Sequence, residues 1–258
     1  MNPVKAIAKS LLSETKYVRL ADAVFRVRKP FRRLWYRGRR HHCPCCDSDL
    51  RVFLFDGVNL YCPVCAAYAR HRLLGLYLKR KGLLDGRLKL LEIAPLRCSR
   101  YLFGGRPNIE YLSADLESPR AMVLMDITRI DLPDNQFDAI VCYHVLEHIP
   151  EDRKAAAELF RVLRPGGWAI IDVPMAAQPA EKTFEDPSIV SPEDRRKHYG
   201  TPQHLRLYGL DFADRQREAG FEVVVDNLAS TLTAEEVLKY GVKRQDLIHF
   251  CRKAPMSG

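Results

Sequence analysis

The chain has 258 residues, of which 47% are hydrophobic and 28% charged, and its formal net charge is +9. This length can bury one substantial core and leaves residues for a small additional module. No segment approaches the roughly 20 apolar residues that a transmembrane helix needs, and the first residues lack the apolar stretch and cleavage site of a secretory signal. We therefore expect a cytoplasmic protein without a transmembrane segment.

The positive charge is concentrated in residues 1–40, which we call the basic arm. The arm contains twelve Lys and Arg residues against Glu14 and Asp22, a surplus of +10, so the rest of the chain carries a net −1. Attraction to phosphate or to anionic lipid therefore belongs to the arm. Near its start one helical face is apolar, which predicts an amphipathic helix. The apolar residues of that face are Val4, Ile7, Ala8, Leu11 and Leu12.

The composition of the arm is compatible with more than one partner. In residues 25–40 aromatic side chains are interleaved with basic ones, a mixture that can hold phosphates while its rings stack on bases. Contact with RNA is one interpretation, and a solvated basic linker is the other. For the amphipathic helix, peripheral membrane contact competes with packing on the domain or on a partner.

Two pairs of cysteines follow the arm, each with two residues between its members. Cys43 and Cys46 form the first pair and Cys62 and Cys65 the second, with fifteen residues between the pairs. Four thiolates at this spacing can converge on one tetrahedral ion, and a chain without an export signal is a poor candidate for disulfides. We therefore predict a zinc ribbon at residues 41–66, in which these four cysteines hold a structural Zn²⁺.

The segment between the two pairs supports a ribbon. Residues 51–55 and 58–61 are predicted to form its hairpin. Other interpretations of the cysteine pattern are an iron centre, a thiol pair, or a site in which Cys45 or His42 replaces one ligand.

A helix is predicted to connect the ribbon to the following domain. Residues 66–81 have apolar side chains at helical spacing. Arg70, His71 and Arg72 lie in this segment, and we expect them on a solvated helix face; contact with a substrate is the alternative.

The remaining chain alternates strand-like and helix-like segments. This alternation predicts an α/β fold with a doubly wound parallel sheet, which binds ligands at the carboxyl ends of its strands. A helix at residues 212–220 and strands at 221–225 and 248–252 are expected near the end of the chain. The preceding predicted strands are residues 88–95, 109–115, 122–126, 137–142 and 168–173.

These segments resemble the class I S-adenosylmethionine-dependent methyltransferases. The resemblance rests on Leu-Leu-Glu-Ile at residues 90–93, on Asp115 at a strand end, on Asp126-Ile127, and on the segments 137–148 and 163–168. It covers residues 86–225 and is most specific in 137–174. It implies a Rossmann-like sheet and places a methyltransferase domain at residues 67–258. Residues 174–203 are proline-rich and too long for an ordinary connection, and we interpret them as an insertion that covers the substrate.

The resemblance also implies roles for individual residues. Glu92 would face the methionine end of the cofactor and Asp115 would accept both ribose hydroxyls. Asp126 would bind the adenine amino group. The alternative for each acid is a helix cap or a solvated loop position. The full implied set for S-adenosylmethionine is Glu92, Ala94, Asp115, Leu116, Asp126, Ile127 and Tyr143.

The first loop departs from the family pattern. The usual Glu-x-Gly-x-Gly-x-Gly is replaced by Glu-Ile-Ala-Pro-Leu-Arg-Cys at residues 92–98. Glycine lets the backbone approach the cofactor and supplies amide donors, whereas Pro95 has no N–H group. Ala94 is small enough to permit a close approach.

Methyl transfer needs a base only if the acceptor must lose a proton. Histidine titrates near neutral pH, and we expect His144 or His204 to act as this base. Glu147 and His148 are more simply explained as residues at the start of a helix.

Three hypotheses for the function follow. The first is a methyltransferase for a small-molecule, sugar or lipid-linked acceptor. The second is an RNA methyltransferase in which the ribbon and the basic arm hold the nucleic acid. The third is a non-catalytic binding protein whose glycine-poor loop has lost affinity for the cofactor.

Overall fold

The computed structural model of the protein describes residues 13–176 and 178–255. Two short helices open this part of the chain, α1 (Glu14–Val27) and α2 (Lys29–Trp35). Because the amphipathic helix was predicted from residues 4–12, that prediction lies outside the described residues. The next strand, β1 (Arg37–Cys43), starts within the arm and leads directly into the cysteine-containing module.

The cysteine-containing module consists of two small antiparallel sheets. β1 pairs with the next strand, and the two strands after that form the predicted hairpin in a shorter form. Asp56 stabilises the hairpin turn, because its Oδ1 accepts hydrogen bonds from the backbone N–H groups of Val58 and Asn59 at 2.9 and 2.8 Å. The elements are β2 (Ser48–Leu50), β3 (Leu54–Phe55), β4 (Leu60–Tyr61) and the connecting helix α3 (Ala69–Arg80).

A seven-stranded sheet forms the centre of the molecule. Its strands are β5 (Leu88–Ile93), β6 (Ile109–Asp115), β7 (Val123–Leu124), β8 (Phe137–Tyr143), β9 (Leu163–Asp172), β10 (Glu222–Asp226) and β11 (Ile248–Arg252). The order across the sheet is β10-β11-β9-β8-β5-β6-β7, and only β11 runs antiparallel to its neighbours. The strand order reverses between β5 and β8, so a ligand site is expected there. The predicted doubly wound α/β sheet is confirmed.

Helices and short turns connect these strands. The insertion contains one helix, Pro192–Tyr199, and Ser191 is its N-cap residue. The hydroxyl of Ser191 accepts a hydrogen bond from the N–H of Asp194 at 3.0 Å. Two 3₁₀ turns occur, at Leu146–His148 and Leu228–Thr231. The remaining helices are α4 (Ser99–Leu102), α5 (Asp152–Val162), α6 (Pro192–Tyr199), α7 (Phe212–Glu218) and α8 (Ala234–Tyr240).

The sheet has a separate apolar core on each face, because successive residues of a strand point to opposite sides. One core includes the buried cysteines of the ribbon and the apolar side of α3. The other is formed with α5 and α7. The ribbon therefore shares a core with one face of the sheet. Strand residues on the ribbon side include Leu90, Val141 and Ile170, and those on the other side include Leu91, Ile140 and Ile171.

The prediction of a solvated helix face was wrong for His71 and Arg72, whereas Arg70 is partly exposed. His71 and Arg72 are buried, with exposed fractions of 3% and 0%. The Arg72 guanidinium donates hydrogen bonds to four backbone carbonyls and stacks on the ring of Phe53 at 3.9 Å. The helix is covered on this side by the hairpin and by the end of α8, which local sequence spacing cannot reveal.

The edge of the sheet is shorter than predicted. Only two residues of the expected strand 122–126 pair with β6, and the side chains of Met122 and Leu124 are exposed. Among the described residues, no helix combines the length and the apolar character needed to cross a membrane.

Candidate functional site

The turn after β5 has the backbone shape of a glycine turn although it contains no glycine. Ala94 has φ +56°, in the left-handed region that a side chain makes unfavourable by about 1–2 kcal/mol. Its N–H donates to the carbonyl of Ala114 at 2.8 Å, which ties the turn to the end of β6. The loop therefore bends sharply at the carboxyl end of β5 despite the departure from the family pattern.

Glu92 lies beneath this turn and has partners within the protein. One carboxylate oxygen accepts a hydrogen bond from the hydroxyl of Ser99 and the other from the hydroxyl of Tyr111. Burial raises the pKa of Glu92 to about 7, although both hydrogen bonds oppose this shift. Because both oxygens are already bonded, Glu92 orders the loop in this structure. Its predicted contact with the methionine end of the cofactor stays a prediction.

Asp115 is the last residue of β6 and Asp126 follows β7, at the same edge of the sheet. Asp115 Oδ1 accepts hydrogen bonds from the backbone N–H groups of Glu117 and Ser118 at 2.9 and 2.7 Å. Asp126 Oδ1 accepts from the N–H and the hydroxyl of Thr128, both at 2.8 Å, and these bonds lower the pKa of Asp126. Each carboxylate is thus fixed in orientation by its own turn. Such bonds are expected if each acid caps a helix or stabilises a loop, which was the alternative interpretation. The roles of both acids in cofactor binding stay predictions.

The two apolar residues predicted beside these acids differ in exposure. Leu116 is 61% exposed, whereas Ile127 is 4% exposed and packs in the sheet core. Only Leu116 therefore offers an open apolar surface next to its acid.

A second strained position lies at the carboxyl end of β8. His144 has φ +59°, and its N–H donates to the carbonyl of Asp172 at 2.8 Å. Its burial, with a side chain 22% exposed, lowers the pKa of His144 to about 3, so the ring is neutral at physiological pH. The preceding Tyr143 is buried, and its hydroxyl donates to the carbonyl of Arg70 at 3.3 Å.

A polar cavity of about 330 Å³ lies at the carboxyl ends of β8 and β9. Asp172 and His249 form a buried pair at its wall, with 2.7 Å between Oδ1 and Nδ1. Burial raises the pKa of Asp246, another wall residue, to about 6. Residues of the ribbon side and of the insertion close the cavity. Its lining includes Asn59, Arg70, Tyr143, His144, Met175 and Pro179.

Sequence reasoning missed Asp172, His249 and Asp246 as cavity residues. Asp172 ends a parallel strand, so the rule that identified Asp115 could also have found it. His249 lies on β11, which is far away along the chain and joins the site only through sheet pairing.

His204, the second predicted base, lies opposite His148 and close to Glu147. The rings of His148 and His204 are 5.0 Å apart, and the N–H of Leu205 donates to the carbonyl of Glu147 at 2.9 Å. Glu147 is also near His144, with 3.6 Å between Oε1 and Nδ1. The two predicted bases are therefore grouped around the carboxylate of Glu147, for which a role at the start of a helix was the preferred interpretation.

Buried arginines hold the insertion against this turn. Arg206 and Arg215 both bond to the Glu185 carboxylate, at 2.7 and 2.8 Å. Arg215 also reaches Asp152 at 3.0 Å, and Arg206 donates to backbone carbonyls of residues 146–150. The segment that carries His204 is thus fixed by charge-assisted hydrogen bonds.

The four predicted zinc ligands converge in the ribbon. Their ligand atoms all lie within 4.8 Å of one another, and the four side chains are buried. The Sγ atoms of Cys43 and Cys65 are 3.6 Å apart, and those of Cys46 and Cys62 are 3.7 Å apart. Thiolates at about 2.3 Å from a tetrahedral Zn²⁺ lie about 3.8 Å apart, so the donor set fits this ion.

The two cysteine turns have the same backbone shape. Asp47 and Ala66, which follow the second cysteine of each pair, have φ +55° and +63°. Each donates its N–H to the carbonyl of the first cysteine of its pair, at 2.9 and 2.8 Å. The alternative ligands lie outside the cluster: Cys45 Sγ is 3.1 Å from the carbonyl of His71, and His42 Nδ1 is 2.8 Å from Asp49 Oδ1.

Comparison with known proteins relates part of this chain to a family. Residues 104–171 match the family model described as a methyltransferase domain. A probable S-adenosylmethionine-dependent methyltransferase of Mycolicibacterium smegmatis is 37% identical over 49 residues, which are 19% of this chain and 19% of that protein. The demethylmenaquinone methyltransferase of Renibacterium salmoninarum is 30% identical over 88 residues, 34% of this chain and 29% of that protein. The chain thus matches less than a third of the length of these curated relatives.

The fold agrees with these matches. The crystal structure of an S-adenosylmethionine-dependent methyltransferase from Mesorhizobium loti aligns with a TM-score of 0.50 over 69% of this chain and 97% of that chain, at 13% identity. At this identity the likeness shows the fold alone. Together with the family match, it confirms the predicted resemblance to the S-adenosylmethionine-dependent methyltransferases.

Proposed function

We propose that this chain, whose central domain matches S-adenosylmethionine-dependent methyltransferases in sequence and fold, transfers a methyl group from S-adenosylmethionine to a small polar acceptor. The observation that carries the proposal is the glycine-like turn at Ala94, tied to β6 immediately before Asp115. A sharp turn and a fixed carboxylate at the ends of adjacent parallel strands suit a nucleoside with a ribose diol.

S-adenosylmethionine supplies the electrophilic methyl group, and the side chains position the reactants. Asp115 would hold the ribose and Asp126 the adenine, beside the exposed side chain of Leu116. The turn at Ala94 and the ring of Tyr143 would border the methionine part. Alignment of donor and acceptor and exclusion of water are the main tasks of a protein that catalyses such an in-line transfer.

The acceptor is assigned to the cavity at the ends of β8 and β9. Arg70, Asp172 and Asp246 make its wall polar and charged, which favours a ligand with hydrogen-bonding groups. Its volume of about 330 Å³ suits a small molecule or a sugar unit. His144 lines it as a neutral ring and can accept a hydrogen bond from the acceptor.

Contacts of the basic arm stay predictions. RNA contact and peripheral membrane contact through residues 1–40 were both expected from composition, as was a cytoplasmic location. The described part of the arm adds one observation that favours a membrane surface: an exposed apolar stripe along α1 and α2, flanked by basic residues.

Calorimetry with S-adenosylmethionine on the full chain tests the proposed function. We expect Asp115→Asn to weaken binding about tenfold or more, because the amide keeps the turn's acceptor but loses the charge that two hydroxyl donors require. Asp85→Asn is the matched control, since Asp85 is exposed and precedes β5 at the opposite end of the strand. The absence of any binding heat or thermal shift for the unaltered protein would favour the non-catalytic hypothesis.

A further inference from the structure

Three potential metal ligands outside the ribbon come together where the insertion returns to the sheet. Glu147 and His148 are in the 3₁₀ turn after β8, and His204 is in the returning segment. One ligand atom from each lies within 4.8 Å of the other two. Glu147 Oε1 is 3.8 Å from His148 Nε2. Imidazole nitrogen and carboxylate oxygen together suit a divalent transition-metal ion.

Glu147 has an unsatisfied oxygen at this place. Its side chain is 2% exposed, and Oε2 is buried without a hydrogen-bond partner among the described residues. A buried carboxylate oxygen without a partner is unfavourable, so such an atom in a folded protein needs a partner such as a water molecule or a bound ion. A cation would satisfy it.

The neighbouring backbone prepares His148 to bind a metal. His148 Nδ1 lies 3.1 Å from the carbonyl oxygen of Gln203. A carbonyl only accepts, so Nδ1 carries the proton and Nε2, the atom that faces Glu147, keeps a free lone pair. Metal-binding histidines usually make such a bond with the second ring nitrogen.

The scaffold around the three side chains is rigid. Leu205 bonds to the Glu147 carbonyl, and Arg206 donates to the carbonyls of Leu146 and Ile149 on either side of the turn, at 3.1 and 2.6 Å. The turn and the returning segment are therefore fixed to each other before any ligand binds. Two ligands about 2.1 Å from one ion lie roughly 3.0–3.4 Å apart, so the observed separations need only small side-chain rotations.

We propose that Glu147, His148 and His204 bind a divalent transition-metal ion through one carboxylate and two imidazoles. This site is separate from the four cysteines of the ribbon. Three protein ligands leave coordination positions open for water or for an oxygen atom of a ligand. The assignment makes His204 a metal ligand and leaves His144, which lines the cavity, as the remaining predicted base.

The site has a second consequence that rests on the proposed function. His144 lines the cavity, and its Nδ1 is 3.6 Å from Glu147 Oε1. An ion held by Glu147 would therefore lie next to the place assigned to the methyl acceptor. An acceptor with a hydroxyl or carboxylate oxygen could occupy an open coordination position. Coordination would lower the pKa of an acceptor hydroxyl and reduce the need for a protein base.

Cobalt binding to the full chain tests the site. Co²⁺ is titrated into protein whose cysteine cluster has been filled with zinc, and proton NMR detects paramagnetically shifted, exchangeable imidazole N–H signals. We expect one Co²⁺ per chain and such signals, without the intense absorption of a thiolate–cobalt bond. His204→Ala and Glu147→Gln should each weaken binding at least tenfold, whereas His198→Ala, an exposed histidine on α6, should not.

Two results would overturn the site: no bound Co²⁺ apart from thiolate-bound ion, or equal affinity in His204→Ala and the unaltered chain. Thermal melting checks that each variant is folded. If Glu147→Gln does not fold, His204→Ala alone tests the site. Binding is measured without S-adenosylmethionine, so a chain that binds cobalt but shows no heat with S-adenosylmethionine would retain the metal site and lose only the methyl-transfer proposal.

Discussion

Two residues with a strained backbone lie at the edge of the sheet where we propose that ligands bind. Ala94 and His144 both have positive φ angles, and each directly follows a central parallel strand, β5 or β8. Neither residue is glycine, so each conformation is unfavourable in isolation and must be held by its surroundings. The bonds from Ala94 to Ala114 and from His144 to Asp172 provide this support. The strain lies on both sides of the point where the strand order reverses.

Glu92 should make the stability of the fold depend on pH. Burial raises its pKa to about 7, whereas glutamate in the unfolded chain titrates near 4.3. The folded state therefore binds more protons between these values, and the contribution of Glu92 to stability is lost as the pH rises through about 7. When the pH is raised from about 5 to about 8, we expect the free energy of unfolding to fall by about 2–3 kcal/mol more in the unaltered protein than in Glu92→Gln.

Urea unfolding of both proteins across this pH range measures the effect. Other groups titrate in the same range, so only the difference between the two curves reports Glu92. Parallel curves would show that the carboxyl is not shifted as described.

We expect the buried side chain of Arg72 to hold the ribbon, α3 and the end of α8 together. Its guanidinium bonds to carbonyls of Leu60, Ala67, Tyr240 and Gly241. We expect Arg72→Met to reduce the free energy of unfolding by about 2–4 kcal/mol, because four carbonyls lose their donors in a buried place.

The control for Arg72 is Arg87→Met. Arg87 is exposed, so its replacement should change the free energy of unfolding by no more than about 0.5 kcal/mol. Chemical denaturation gives both values, and equal stability of the two variants would contradict the structural role of Arg72.

At the scale of elements, the arm has one anchored side and one open side. Asp22 on α1 pairs with Arg97 of the loop after β5 at 2.5 Å and with Arg120 after β6 at 2.8 Å. These contacts hold α1 beside the loop that carries Ala94. On the open side the apolar residues recur every three or four positions, as on one helical face. They are Leu20, Val24, Val27, Phe31, Leu34 and Trp35.

We expect this open side to bind anionic vesicles. Apolar side chains with flanking Lys and Arg suit the interface of a negatively charged bilayer. Trp35 is 70% exposed, so its fluorescence should shift to shorter wavelength with vesicles that contain phosphatidylserine, and less with neutral vesicles or at high salt.

A double variant tests the membrane prediction. Phe31→Ser with Leu34→Ser should reduce vesicle binding at least tenfold, since two large apolar groups no longer insert. Val190→Ser removes an apolar side chain that is 67% exposed in the insertion and should leave binding unchanged. Retention on an RNA oligonucleotide, with no response to vesicles, would favour the RNA interpretation of the arm.

At the scale of the whole molecule, the ribbon and the sheet are one packed unit. The ribbon cysteines, α3 and one face of β5, β8 and β9 belong to the same buried cluster. Loss of order in the ribbon should therefore expose a face of the central sheet, and unfolding of the two should be coupled.

Loss of the predicted zinc should destabilise the entire chain. Cys62→Ser, or chelation of the metal, should lower the melting temperature by on the order of 10 °C, because metal binding adds directly to folding free energy. Cys45→Ser should retain the zinc content of the unaltered chain, since the Sγ of Cys45 bonds to a backbone carbonyl outside the cluster. Elemental analysis and circular dichroism check both results, and a sheet that melts unchanged without zinc would contradict the shared core.

The sequence by itself determined the succession of strands that form the central sheet, the spacing of the four cysteines and the resemblance to methyltransferases. These features depend on local periodicity, on spacing and on motifs that a short segment contains. It also pointed to acids at successive strand ends, because parallel strands bring their carboxyl ends to one edge.

Only the tertiary structure decided that Arg72 is buried, that Asp172 and His249 pair in the cavity wall, and that His204 lies beside Glu147. Each depends on residues between 57 and 169 positions apart in the chain, such as the bond from Arg72 to Gly241. Burial and partner choice are set by how distant elements pack, and the spacing of side chains along one element carries no information about what covers it.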